Sequence, residues 1–352
     1  MSTRHFEQAR KTVDLAGFVT ANIGEGRLIG GYLRWGVCPI CGASKKAGSR
    51  KLAVRGAHWT CFSCLEGGSV VDFAAAYWEV TPDEAAKKLI NADDIPKTRV
   101  IPQTPSVEDD RARQELCGQI AGELKEVICS TPNEDVFRYL EDVRGISRAV
   151  LVEGMKRKIF GCLPTNPQDA FKLLRDVVGE ERLKKSGIWR EGSKMPAIAF
   201  RPLVFFLHSG GAEFRIIRKP KENESKSIRY GLLESPIFWK GDSKELEVVE
   251  GGIDLLSRIE MGSGRNIIAV PGCNSWRIEW LTKLHQRGWA DRIVIMLDND
   301  VDRPHKNPGQ EWAGIMMSKL TELGIKSHNA SPVSGDVNDM LLKMRHLNPI
   351  TH

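Results

Sequence analysis

Five carboxylates carry the clearest chemistry in this sequence: Glu250, Asp254, Asp298, Asp300 and Asp336. Two of the segments that hold them, Glu247-Val248-Val249-Glu250 and Val294-Ile295-Met296-Leu297-Asp298-Asn299-Asp300, are short apolar runs that end abruptly in acid. A central parallel strand is apolar on both faces, so an acid at its carboxyl end marks the rim of the sheet, where open α/β folds place their ligands. Carboxylates gathered there raise one another's pKa unless a cation relieves them. Magnesium or manganese suits the position, because a hard ion is held by one or two carboxylates together with substrate phosphates. Asp298 and Asp300 fall on the same side of an extended segment, since side chains repeat every two residues. An ion there would favour attack of a hydroxyl on phosphorus and departure of pyrophosphate. Asp254, one helical turn beyond Glu250, reads as a supporting residue or as a helix-start acid favoured by the dipole.

The elements that position these acids follow from the pattern of apolar runs. From Leu246 onward the order is strand, helix from Ile253, strand 266–270, helix from Trp276, strand 292–297, helix from Gly309, strand 326–333 and helix from Val337. Such alternation makes a parallel sheet with helices on its faces. Glu250, the Asp298/Asp300 pair and Asp336 then occupy three loops on one rim.

Upstream, Cys38/Cys41 and Cys61/Cys64 form two close pairs with 19 residues between them, enough for a hairpin that closes a tetrahedral zinc site. A metal held by four thiolates has no open position, so this zinc is structural. His58 reads as an exposed strand residue, and Cys117, Cys129, Cys162 and Cys273 as small packed residues. The net charge is only +6, yet seven Lys or Arg and no acid lie between Arg27 and Thr60. Lys45, Lys46, Arg50, Lys51 and Arg55 within this block, with Trp59 and Phe62 beside them, are the mix of cations and stacking surfaces used for single-stranded nucleic acid. Trp59 and Phe62 serve equally as the small core of a ribbon, which is the reading we favour.

At 352 residues, 41% hydrophobic and 27% charged, the chain has room for two or three domains with their own cores. It shows no secretory signal and no apolar run of transmembrane length, so a cytoplasmic protein without a membrane partner is expected. Residues 4–20 read as an amphipathic helix, and Thr81 with Glu84 as a capping box. Pro96, Pro102 and Pro105 mark a linker. The expected domains are a zinc module (1–91), a linker (92–107), a mixed α/β segment (108–243) and a parallel-sheet domain (244–352), giving an α/β, overall α+β, fold. In the mixed segment, 198–201, 203–207 and 214–219 read as short strands around a turn at Gly210-Gly211. Arg215, Arg218 and Lys226 there are candidates to line a phosphate or triphosphate path.

Cys-Pro-Ile-Cys-Gly and His-Trp-Thr-Cys-Phe-Ser-Cys-Leu-Glu-Gly-Gly-Ser-Val-Val-Asp-Phe resemble the zinc-binding domain of DnaG-type primases of bacteria and phages. Tyr139-Leu140 with Arg144-Gly145-Ile146-Ser147 resembles the segment that opens their RNA polymerase region. Glu250-Gly251-Gly252-Ile253-Asp254, Asp298-Asn299-Asp300 and Asp336-Val337-Asn338-Asp339-Met340-Leu341 are similar to the Toprim motifs. The resemblance implies Glu250, Asp298 and Asp300 as metal ligands and Asp336 at the third motif. It further implies a single-stranded DNA template, ribonucleoside triphosphates and a separate replicative helicase as partners, in a bacterial host cytoplasm. Three departures bring the chain nearer to phage relatives or set it apart: Cys41 stands where cellular members often have a histidine ligand, Asn338 where they often have a second aspartate, and 301–308, with Asp302 and His305, is an insertion. Toprim motifs also occur in topoisomerases, nucleases and recombination mediators of the RecR type. The tyrosines lie in unpromising contexts for a topoisomerase, and no P-loop is present. A Toprim nuclease and a RecR-like mediator are the alternatives to a primase.

Overall fold

Asp14 divides the helix expected over 4–20 in two. Its carboxylate accepts from the Ala16 and Gly17 amides at 3.3 and 2.8 Å, the local bonding that makes aspartate a helix start rather than a helix interior. Accordingly α1 (Thr3–Thr12) stops before it and α2 (Leu15–Ile23) begins after it. The computed structural model describes residues 3–29, 32–42, 51–62, 64, 66–91, 107–190, 192–221, 224–232, 235–273, 275–301 and 307–347. Its contacts divide the chain into two units, Met1–Asp110 and Arg111–His352. Nearly all of the expected linker lies outside the described residues.

In the first unit, β1 (Arg27–Ile29), β2 (Tyr32–Trp35), β3 (Leu52–Arg55), β4 (His58–Cys61) and β5 (Gly67–Gly68) form an antiparallel sheet in sequential order. The register sets its faces. Trp35, Leu52, Val54, Trp59 and Cys61 turn toward a core shared with α2, α3 (Val70–Trp78) and α4 (Pro82–Asn91), while Tyr32, Arg34, Arg55, His58 and Thr60 take the other side. Trp59 is buried, edge-on to Phe73, so its role is packing. At Thr81 the expected capping box is present: its amide donates to Glu84 at 3.0 Å, and the Glu84 amide donates to Thr81 Oγ1 at 3.3 Å.

The second unit begins within α5 (Val107–Ile128), followed by α6 (Glu134–Arg138), which continues as a π-helical turn over Tyr139–Val143. Gly145 takes the left-handed φ of +66° expected of it. Ser147 stands before α7 (Arg148–Lys156), but its hydroxyl and amide donate to the Glu260 carboxylate at 2.6 and 2.8 Å instead of capping the helix. Next come β6 (Phe160–Cys162), α8 (Pro167–Val178), α9 (Glu180–Lys185), β7 (Leu203–Phe206), β8 (Ala212–Arg215) and β9 (Ser227–Tyr230). Strands β6 to β9 form an antiparallel meander. The strand expected at 198–201 is instead a 3-10 turn, Ala197–Phe200, and β8 ends at Arg215 rather than continuing to 219.

The last sheet comprises β10 (Ile237–Trp239), β11 (Glu245–Val249), β12 (Asn266–Ala269), β13 (Arg292–Met296) and β14 (Lys326–Asn329), ordered β10-β12-β11-β13-β14. The last four are parallel, as the alternating pattern predicts, while β10 pairs antiparallel with β12, so the sheet already starts before residue 244. Helices α10 (Gly252–Glu260), α11 (Ile278–Gln286), α12 (Pro308–Glu322) and α13 (Val337–Leu347) alternate with the strands. Val249, Ile267, Val294 and Met296 pack on one face with Ile253 and Val337; Val248, Ile268, Ile293 and Ile295 pack on the other with Leu281 and Met316. From β11 the chain crosses to β12 on one side and returns past β11 to β13 on the other. The carboxyl ends of β11 and β13 therefore flank a topological switch point, where neighbouring loops diverge and leave a crevice.

Candidate active site and metal centre

Close backbone packing fixes the acids at this switch point. After Glu250, Gly251 has φ +113°, and a Cβ on Gly252 would sit 2.2 Å from the Phe205 ring, so α10 starts against β7 only because that side chain is absent. Beyond β13, a Cβ on Gly309 would sit 2.1 Å from the Asp298 carbonyl oxygen, which also accepts from Gln310 Nε2 at 3.0 Å. Asn299 and Gly335 exchange both backbone hydrogen bonds at 2.9 Å, stitching the second acidic loop to the third. Asn299 Nδ2 adds bonds to the Pro332 and Val333 carbonyls, while Asn307 donates to Asn299 Oδ1 and accepts from the Asp300 amide. At the start of α13, the Asp339 amide donates to Asp336 Oδ1 at 2.7 Å and the Asp336 amide to Asp339 Oδ2 at 3.2 Å.

These loops open on a cleft of about 210 Å³. Glu250, Asp254, Asp298 and Asp336 supply its acidic wall. Facing them are Arg144, from the segment after α6, and Arg215, Lys226 and Arg229, from β8, the loop after it and β9. Burial pushes Asp298 up to about 8, and the charges of Glu250, Asp336 and Asp300 push the same way. Asp254 is held well above the usual carboxylate range by burial and then by Asp336 and Asp298, against a smaller downward pull from Arg215. Glu250 is likewise raised by burial, opposed by the Cys273 amide and by Arg229.

Asp298 Oδ1 is buried without a hydrogen-bond donor among the described residues. An orphaned carboxylate oxygen beside other acids is costly unless something positive meets it, so the donor set fits a hard divalent cation. Among the described residues the cysteines are the only group of three or more candidate ligands closed within 4.8 Å. The acids are more open, which suits an ion completed by phosphate oxygens and water rather than caged by protein.

Of the residues expected at the site, Glu250, Asp254, Asp298, Asp336, Arg215 and Lys226 meet in the cleft. Asp300 acts on Asp298 and Glu250 through its charge. Arg218 stands apart, because β8 has ended: its guanidinium makes a two-bond pair with Glu224 at 2.6 and 2.7 Å and does not line the cleft. Sequence reasoning passed over Arg144, Glu213 and Arg229. Arg144 could have been found, since it lies in the Arg-Gly-Ile-Ser segment already singled out. Lys45, Lys46 and Arg50, with Asp302 and His305, lie outside the described residues; Lys51 and Arg55 belong to the first unit.

Cys38, Cys41, Cys61 and Cys64 bring their sulfurs within 4.8 Å of one another. The Cys41 and Cys61 sulfurs are 3.9 Å apart, near the ~3.8 Å edge of a tetrahedron with ~2.3 Å metal–sulfur bonds. Burial first, and hydrogen bonds among the thiols after it, push Cys38 up to about 12 and Cys64 to about 11. Thiols so crowded become thiolates only with a cation among them. The quartet therefore fits a soft tetrahedral metal, as the spacing predicts.

Residues 247–341 match the family model described as Toprim-like, which makes the parallel-sheet region, with its acids at the strand ends, a Toprim-like domain. Over a wider span the chain is similar to the DNA primase of Lactococcus lactis, 25% identical over 330 residues that make up 85% of this chain and 48% of that protein. It is also similar to the DNA primase of Borreliella burgdorferi, 22% identical over 296 residues, 75% of this chain and 53% of that protein. The chain thus spans about half the length of these curated relatives. The crystal structure of the Aquifex aeolicus primase, zinc binding and RNA polymerase domains, aligns with 97% of this chain and 84% of that one, at 19% identity and a TM-score of 0.44. The likeness to DnaG-type primases first seen in short motifs extends over most of the chain.

Proposed function

We propose that this protein is a DNA primase, which joins ribonucleotides on a single-stranded DNA template by metal-dependent nucleotidyl transfer. One observation carries the reading: acids from three loops at a switch point face Arg144, Arg215, Lys226 and Arg229 across a single small cleft. Opposed walls of this kind suit a substrate that is anionic along its length and needs a cation at its reacting phosphorus. Primase relatives matched along most of the chain select primer synthesis from the reactions such a cleft supports.

In this reading Glu250, Asp298 and Asp300 hold magnesium or manganese, with Asp336 and the buried Asp254 adding negative potential. When bound, the ion neutralises phosphate charge and favours the 3′ hydroxyl as nucleophile and pyrophosphate as leaving group. The cationic wall orients the triphosphate tail, and Asn299 and Gln310 keep the acidic loops from spreading. Zinc in the cysteine quartet holds the first unit's sheet, whose outer face carries Tyr32, Arg34 and Arg55, with Phe62 just beyond β4, to the template. Arg34 lies over the Tyr32 and Phe62 rings at 5.1 and 5.3 Å, an arrangement that suits stacked bases and phosphates together. A separate replicative helicase and a bacterial host cytoplasm complete the proposal.

Incubation with single-stranded DNA, magnesium and labelled ribonucleotides is expected to give short oligomers. Asp298→Ala should abolish them while template binding persists. Cutting of the DNA with no oligomers on any template would replace primase by the Toprim nuclease reading; DNA binding without either activity would favour a RecR-like mediator.

A further inference from the structure

Glu213 puts a carboxylate only 5% exposed into the cationic wall of the cleft. An acid there repels the anion that the wall is to receive. Antiparallel pairing sets Glu213 directly opposite Arg229, and the two-residue repeat of β8 brings Arg215 to the same face. Glu213 Oε2 accepts from Arg229 Nε at 2.7 Å, and Oε1 lies 3.6 Å from Arg215 Nη1. Because Arg229 is held through Nε, both its Nη groups are left without a protein acceptor among the described residues. Those groups form a planar fork that matches two phosphate oxygens.

We infer that Glu213 is a positioning residue that holds Arg229 and Arg215 as a two-armed clamp for the polyphosphate tail of the incoming nucleotide. The inference rests on the nucleotidyl-transfer reading of the cleft. A long arginine side chain loses rotamer freedom when it captures a ligand; one already fixed by a buried carboxylate has lost it in folding, so the ligand binds more tightly. Lys226 adds charge to the same wall without a fork.

The two effects of neutralising Glu213 have opposite signs, which makes the test decisive. Charge alone predicts that Glu213→Gln tightens binding of inorganic tripolyphosphate; positioning predicts that it weakens it. Calorimetric titration of the full chain with tripolyphosphate in magnesium is expected to show affinity lower by about tenfold or more in Glu213→Gln. Unchanged or tighter binding overturns the inference. Should Glu213→Gln fail to fold, as judged by its melting curve, Arg229→Lys serves instead: it keeps the charge and the pairing with Glu213 but not the fork. About tenfold weaker binding is expected there, and equal affinity overturns the clamp. Combined in one chain, the two changes should together cost little more than either alone; full additivity also overturns it. Anion binding is read without primer synthesis, so the two failures separate. A chain that makes no primers yet loses tripolyphosphate on these changes keeps the clamp and loses the primase reading; one that makes primers with an unaltered nucleotide KM in Glu213→Gln does the reverse.

Discussion

Arg144 and Asn338 bind each other twice: Arg144 Nη1 donates to Asn338 Oδ1 at 3.2 Å, and Asn338 Nδ2 donates to the Arg144 carbonyl at 2.7 Å. Asn338 is fully buried. Its amide nitrogen also donates to Ser257 Oγ at 3.0 Å, and its backbone N–H to Asp254 Oδ1 at 3.2 Å. One neutral side chain therefore ties the third acidic motif to α10 and to the arginine segment 194 residues away.

Both ends of the amide are used, so aspartate is not a conservative replacement. Asn338→Asp removes two buried donors and sets a charge beside Asp254, whose carboxyl burial already drives toward the neutral form. The half-buried Arg144 offsets this by no more than about 1 kcal/mol, against a loss of about 2–4 kcal/mol from the broken bonds and the buried charge. Urea unfolding should show that loss. A change below about 0.5 kcal/mol, typical of a tolerant surface site, would mean that the hub does not stabilise the fold.

The pH dependence of metal binding follows from Asp298. Its carboxyl, raised to about 8 in the folded state mainly by burial, has an ordinary value near 3.9 when unfolded. The folded, metal-free protein therefore keeps a proton that the unfolded chain gives up. Its stabilising contribution is complete below about pH 4 and is lost as pH rises through about 8. On the proposed ligand set, a magnesium ion displaces that proton, so its affinity should rise with pH until Asp298 ionises. In chelator, the melting temperature should fall between about pH 5 and about pH 8 and then level off, while the gain on adding magnesium grows over the same range. A magnesium gain that stays flat across this window would remove Asp298 from the ligands.

The cysteine quartet responds in the same direction. Cys38 and Cys64 are protonated at neutral pH without metal, being raised to about 12 and about 11 by burial, so zinc must expel protons to bind. Its apparent affinity should drop about tenfold for each unit by which the pH is lowered, for each proton expelled. Competition against a chelator of known affinity at two pH values measures the slope. Cys61→Ser should also lower the bound zinc from one ion per chain and redden Trp59 fluorescence, because Cys61 and Trp59 share one core.

The parallel sheet is readable because its strands are unbroken apolar runs, and Val249-Glu250 and Leu297-Asp298 mark where the runs stop. What escapes depends on register and on distant packing. Glu213 and Arg229 meet only because β8 and β9 pair as they do, and neither has a local signal beyond being charged in a short strand. Arg215 and Arg218 look alike in the sequence, and only the end of β8 separates them, one into the cleft and the other onto Glu224. Asp254 reads as peripheral from its spacing alone; its burial comes from α13, docked 84 residues later through Asn338. Asp14 carries a legible signal, since an acid before an apolar run is a helix start.

The two aromatics of the zinc unit should separate stability from binding. Trp59 is 2% exposed and packed at 5.2 Å against Phe73. Trp59→Ala should cost about 3–5 kcal/mol in unfolding, the usual range for emptying a large core site. Phe62 is 50% exposed with Arg34 over its ring. Its truncation should leave the melting temperature nearly unchanged but weaken single-stranded DNA binding by about 1–3 kcal/mol, the value of one base stacked on an aromatic ring. Replacing Arg34 or Arg55 by glutamine should instead flatten the dependence of DNA affinity on salt, because a phosphate no longer neutralised by protein keeps its condensed counterion, about one fewer released per arginine. Fluorescence anisotropy of a labelled oligonucleotide across a salt series tests both expectations. An unchanged affinity in Phe62→Ala together with an unchanged slope in the arginine variants would show that the outer face of the sheet does not receive the template.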